Sequence, residues 1–252
     1  MFEVAGDIAA LLIAAALFAG FVDSIAGGGG LITLPVLMLS GASPLQAIAT
    51  NKVQSVFGSA TATVSYARAG QVDLRRQIGT ALIAFAGGLI GALLASRVPA
   101  EGLRYALPVI LIAIAAFFAF KRGLNDEDRT ERLSPVAYSA FVVPLIGFYD
   151  GAIGPGAGSF YMLGFVMLAG YGVLKATAHT KLLNFGSNLG GLVAYAAVAT
   201  PWWKIGLAMG LAQMLGAQLG SRMAMKRGAR LIKPLLVATS LALAARLIWQ
   251  LL

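Results

Sequence analysis

The sequence predicts an all-α polytopic membrane protein of two inverted repeats, about five segments each, with Gly-broken half-span or re-entrant helices meeting near the midplane. Three observations predict it. Of 252 residues, 59% are hydrophobic and only 12% charged, about half the charge of a typical soluble domain. The charges gather between ten long apolar stretches. An aspartate followed by a glycine-rich break also occurs twice, at Asp23 and at Asp150.

The apolar stretches run approximately 7–25, 31–42, 45–67, 77–97, 103–120, 136–150, 157–170, 173–199, 203–223 and 231–250. A full crossing needs about 20 residues. The second, sixth and seventh have only 12 to 15 and are expected to be half-spans. Asp23 and the run Gly27–Gly30 separate the first from the second. The third carries Asn51, Lys52, Gln54, Ser55 and Ser59. Arg75 and Arg76 precede the fourth. A hydrophilic linker at 121–134, "KRGLNDEDRTERLS", follows the fifth and divides the chain into repeats at 1–120 and 135–252. The sixth ends at Asp150, and Gly154, Pro155, Gly156 and Gly158 open the seventh. The eighth holds His179, Thr180, Lys181, Asn184 and Asn188; "PWWK" precedes the ninth and a basic stretch at 222–233 the tenth.

Loop charge sets the orientation. Arg222, Lys226, Arg227, Arg230 and Lys233 occur with no acid among them, which places that loop in the cytoplasm. The Arg68–Arg76 loop and the central linker read the same way. Trp202 and Trp203 anchor the 201–204 turn at the outer interface, and both termini fall outside. The first ten residues have Glu3 and Asp7 and no basic region, so no cleaved signal peptide is expected.

The repeat extends beyond the aspartates. "GFVDSIAGGGGLITLP" (Gly20–Pro35) matches "GFYDGAIGPGAGSFYM" (Gly147–Met162), "ATNKV" at Ala49 matches "AHTKL" at Ala178, and "GALLASR" at Gly91 matches "GAQLGSR" at Gly216. Arg104 and Pro108 match Arg230 and Pro234. The loop before "GALLASR" reads as cytoplasmic and its counterpart "TPWWK" as outside, so the copies are inverted, as in many secondary transporters.

The polar positions suggest an anion. Gly27, Gly28, Gly29 and Gly30, with Gly154, Gly156 and Gly158, would free backbone N–H groups at two helix starts, and such ends attract negative charge. Close helix packing, the reading given to Gly87/Gly91, Gly206/Gly210 and Gly216/Gly220, is the alternative. Lys181, Asn184 and Asn188 share one helix face with a Thr180, Asn184, Asn188 stripe beside it. Asn51, Ser55 and Ser59 form the matching stripe beside Lys52. These stripes read as cavity walls, against snorkelling lysines or polar glue between helices. Asp23 could pair with Lys52 and Asp150 with Lys181; either acid could instead carry a proton or cap the break. His179, the sole histidine, could titrate near neutral pH or act as a local cap.

Several classes are excluded. Without cysteine there is no disulfide or zinc thiolate site. The net charge of +9 accompanies no nucleic-acid-binding motif, and no Walker A, HExxH or GxSxG pattern is present. The chain is expected to be no enzyme, with no cofactor, no metal and no nucleic-acid partner.

These motifs resemble the TauE/SafE family of sulfite exporters over essentially the whole chain, the second motif departing at Pro155 and Ala157. The resemblance implies an inner-membrane transporter of sulfur-containing anions such as sulfite, organosulfonates or sulfoacetate. Combined with the residues, it points to secondary transport, with export the expected direction and protons a candidate coupling ion. An uncoupled channel-like facilitator and a non-transporting membrane scaffold are the alternatives, and the oligomeric state stays open.

Overall fold

Every regular element among the described residues of the computed structural model (2–95, 112–113, 116–117, 119–120 and 124–249) is a helix. The helices are α1 (Gly6–Ala26), α2 (Gly29–Leu39), α3 (Pro44–Arg68), α4 (Leu74–Leu94), α5 (Val143–Ala152), α6 (Ala157–Met167), α7 (Val173–Val198), α8 (Trp203–Arg227) and α9 (Ala229–Trp249). Most of the segment expected at 103–120, and with it Arg104 and Pro108, lies outside the described residues. By length and composition, α1 and α4 are long and apolar enough to cross a membrane; α3 and α7 dilute their apolar content with the polar stripes.

Local signals set the boundaries. Pro44 opens α3 behind Ser43, whose hydroxyl accepts from the Gln46 amide, and Asp73 caps α4 through the Arg75 and Arg76 amides. At 11 residues each, α2 and α6 span about 16 Å, about half the thickness of a bilayer core.

Two expectations need correction. The sixth segment is not short: the chain is helical without interruption from Pro135 to Ala152, with a π-helical turn at Tyr138–Val142. Pro144 has no N–H to give the turn before it, and the π register absorbs that loss. The basic stretch 222–233 is not an open loop either. It stays helical through Arg227, breaks at Gly228 (φ 52°) and resumes at Ala229.

Hydrogen bonds between distant segments sort the turns into two ends. At one end Glu3 accepts from the Lys204 and Ile205 amides, and Gln46 donates to the Thr200 carbonyl. The N-terminus, the α2–α3 turn and the α7–α8 turn therefore lie together. At the other end Asp126 accepts from the Leu174 and Ala229 amides, while Arg132 and Leu133 donate to the Leu168 carbonyl. The central linker, the α6–α7 turn and the α8–α9 turn lie together there. Beside them Asp128 accepts from the Gly172 amide and pairs with Lys175. Burial pushes the Asp128 carboxyl up, but Lys175 and that amide outweigh it and hold the group below the usual carboxylate range.

Packing joins the copies rather than separating them. Helix α1 lies on α8 and α5 on α4, while α4 packs on α7, α8 on α3, and α3 on α7. Exchanging the copies maps these pairs onto one another. Gly216 and Gly220 meet the α1 backbone at Leu17 and Phe21, and Gly87 and Gly91 meet the α5 backbone at Pro144 and Phe148. Those glycines are close-packing positions, as read from the sequence.

Candidate functional site

Gly27 and Gly28 end α1 with φ of 79° and 99°, and Gly154 and Gly156 precede α6 with φ of 95° and 88°. Side-chain-bearing residues avoid that region, so only glycine lets the chain reverse in so few residues. The two breaks touch: a Cβ on Gly27 would fall 2.9 Å from the Gly158 Cα. Pro155 sits in the turn before Gly156, and α6 starts at Ala157, slightly later than the proline suggests.

A small cavity opens at this contact. Asp23, Gly28, Gly29, Gly30, Asn51 and Ser55 line it from the first copy, and Asp150, Gly154, Gly156, Gly158, Asn184 and Asn188 from the second. Water-sized spheres have about 30 Å³ for their centres, enough for a couple of waters or one small oxyanion. Helices α2 and α6 both start here. The Gly29 amide donates to Asp23 Oδ1 at 3.0 Å, so Asp23 caps the break. The Gly30 and Gly158 amides have no acceptor among the described residues.

Lys52 and Lys181 stand behind the cavity wall, each with 1% of its side chain exposed. Their partners are the reverse of the pairing expected within each copy. Lys52 Nζ donates to the Asp150 carbonyl (2.6 Å), Asp150 Oδ1 (2.7 Å) and Asn188 Oδ1 (3.0 Å). Lys181 Nζ donates to the Asp23 carbonyl and lies 3.5 Å from Asp23 Oδ2. Depth explains the exchange. Helix α1 starts at the Glu3 end and carries Asp23 toward the start of α7, where Lys181 is, whereas Lys52 sits near the Glu3 end in the first part of α3. Paired in this way, each buried charge has the partner it needs.

The other expected residues are distributed around this centre. Thr180 is buried beside Lys181, with no partner for its hydroxyl among the described residues. His179 is away from the cavity, edge-on to Phe165 and Tyr171, with Nδ1 2.9 Å from the Lys175 carbonyl. Asn51 Oδ1 accepts from Thr33 (2.6 Å) and Gln54 (2.8 Å).

Other residues of the site escape a sequence reading. Ser187 donates its hydroxyl to Asp150 Oδ2. Tyr66 donates to the Ser24 carbonyl (2.9 Å) and Tyr195 to the Gly151 carbonyl (3.1 Å), tying each break to the long helix of its own copy. Tyr66 and Tyr195 match at the spacing that relates Lys52 to Lys181, so the repeat alignment carried farther would reveal them.

The family described as Sulfite exporter TauE/SafE matches residues 12–247. "Probable membrane transporter protein ORF9" of Sinorhizobium sp is 55% identical over 248 residues, 98% of this chain and 95% of the relative. "Probable membrane transporter protein YfcA" of Escherichia coli K12 is 43% identical over 250 residues, 99% of this chain and 93% of the relative. A "Probable membrane transporter protein" of Haemophilus influenzae is 38% identical over 244 residues, covering 97% and 96%. No solved structure matches the chain.

Proposed function

The chain belongs to the Sulfite exporter TauE/SafE family of membrane transporters, and on that premise we propose that it exports a small sulfur-containing oxyanion, of the sulfite class, by secondary transport across the inner membrane. One observation carries this reading: the cavity where two broken helices, one from each repeat, begin against each other with buried lysines behind them. Helix starts and unpaired amides attract an oxyanion, and a charge-assisted contact from one ammonium group strengthens the attraction.

Two inverted repeats, 1–120 and 135–252 around the 121–134 linker, are part of the proposal. Its support is the path of the hairpins. The α1–α2 hairpin opens and closes at the end shared by Glu3 and Thr200, and α5–α6 at the end shared by Asp126 and Leu168. The first end faces outward and the linker end faces the cytoplasm, as the basic residues there demand.

Coupling to protons is part of the proposal, and the ion pairs are its support. An anion between the breaks competes with Asp23 or Asp150 for an ammonium, and the carboxylate that gives up its partner is the candidate proton carrier. His179 stands outside this relay.

The test is sulfite flux into proteoliposomes holding the purified chain, with and without an imposed pH gradient. Flux driven by the gradient is expected, with flatter pH dependence in Asp23→Asn or Asp150→Asn. Flux indifferent to the gradient makes the protein an uncoupled facilitator, and no flux of any sulfur oxyanion ends the reading.

A further inference from the structure

The two halves of the site match in backbone and differ in coordination. Lys52 engages all three ammonium protons, and Asp150 gains the Ser187 hydroxyl as well. Among the described residues Lys181 meets Asp23 alone, with the carboxylate contact stretched to 3.5 Å. The Asp23 side chain keeps 19% of its surface exposed, against 4% for Asp150.

The repeat alignment explains the difference. Ser187 corresponds to Gly58, which has no hydroxyl to offer Asp23. Asn188 corresponds to Ser59, whose hydroxyl turns to the Ser55 carbonyl instead. Thr33 and Gln54, which saturate the Asn51 carbonyl, correspond to Phe160 and Leu183. Thr180, the counterpart of Asn51, has no partner for its hydroxyl among the described residues, and neither does Asn184 Oδ1, whose side chain lines the cavity. A Cβ on Gly158 would lie 3.1 Å from Asn184 Nδ2 and 3.8 Å from Lys181 Nζ. Asn184 and Gly158 both line the cavity, and Lys181 Nζ lies close behind the bare glycine, as Lys52 Nζ does behind Gly154; the two lysines differ in coordination rather than in distance.

We infer that the two lysines have different duties: Lys181, with Asn184, is the ligand of the anion, and Lys52 is a positioning residue that fixes the second break through Asp150. This rests on the oxyanion reading above. Recruiting Lys181 gives up the Asp23 carbonyl and a carboxylate contact that is already long, whereas recruiting Lys52 breaks three contacts of 2.6, 2.7 and 3.0 Å.

Sulfite titrated into the purified full-length chain by calorimetry tests the division. Lys181→Gln/Asp23→Asn and Lys52→Gln/Asp150→Asn each remove a whole pair, so no lone charge stays buried. The first is expected to lose about ten-fold or more in affinity, the size of one charge-assisted contact. Asn184→Leu should also weaken binding, and it decides the matter if that double variant does not fold. The second should stay within about three-fold of wild type yet melt lower than the first without anion. Equal affinity losses in the two double variants, or a larger one for the Lys52 pair, overturn the inference. A folded wild-type chain that ignores sulfite and other sulfur oxyanions sinks the oxyanion reading itself, and the inference with it.

Discussion

Lys52 of the first repeat and Asp150 of the second form an ion pair of 2.7 Å with side chains only 1% and 4% exposed. Removing one member leaves the other charge buried without its partner, which costs about 3–5 kcal/mol. Lys52→Gln should therefore lower the melting temperature in detergent sharply, and adding Asp150→Asn should restore much of the loss. A single variant as stable as wild type would show the pair to be dispensable.

The tyrosine ties give a second expectation. Tyr66→Phe and Tyr195→Phe keep the ring and delete the bond to the carbonyl at each break, leaving that acceptor buried. Each should destabilise by about 1–3 kcal/mol. Hydrogen exchange should rise first at Ser24–Gly28 in one variant and at Gly151–Gly154 in the other.

Gly27→Ala combines a strained φ with a Cβ driven onto Gly158. The breaks must move apart, so anion flux should fall at least ten-fold while the protein still inserts. Gly41 also has positive φ (98°), but a Cβ there meets nothing within 4 Å. Gly41→Ala should keep its flux and serve as the control for backbone strain alone.

The chain has no native cysteine, so orientation can be read by labelling. Cysteines introduced at Gly70 and Trp203 should react from opposite faces of the membrane, position 70 from the cytoplasm. Labelling from one face would overturn the inverted arrangement.

Asp128 supplies the pH prediction. Its carboxyl is held below the usual range by Lys175 and the Gly172 amide, burial opposing them. A depressed folded value means the stabilisation is fully present above the unfolded value, near 4, and is lost as pH falls through the folded one. The linker around Asp128 should keep its exchange protection at neutral pH and lose it progressively in acid. Asp128→Asn should be less protected at neutral pH and nearly insensitive to acid; the effect is modest because the pair is solvent-screened.

Much of the site was legible because a four-glycine run after an aspartate has few uses in an apolar segment, and its recurrence at Gly154–Gly158 marked the partner. The lining asparagines and Ser55 followed from helical spacing. The pairing of the charges was not legible, because which aspartate reaches which lysine depends on depth along α1 and α5 rather than on sequence distance. The sixth segment read as short because it was cut at Asp150, a charge inside the helix, which runs on to Ala152. Ser187 was missed because a serine within a helical polar stripe looks like any other.

The crossed pairs bear on how the protein is made. The N-terminal half leaves the ribosome first, carrying Asp23 and Lys52, whose partners in the fold both belong to the second half. Both remain uncompensated until Asp150 and Lys181 have been synthesised. Each pair can therefore close only when the second half packs against the first.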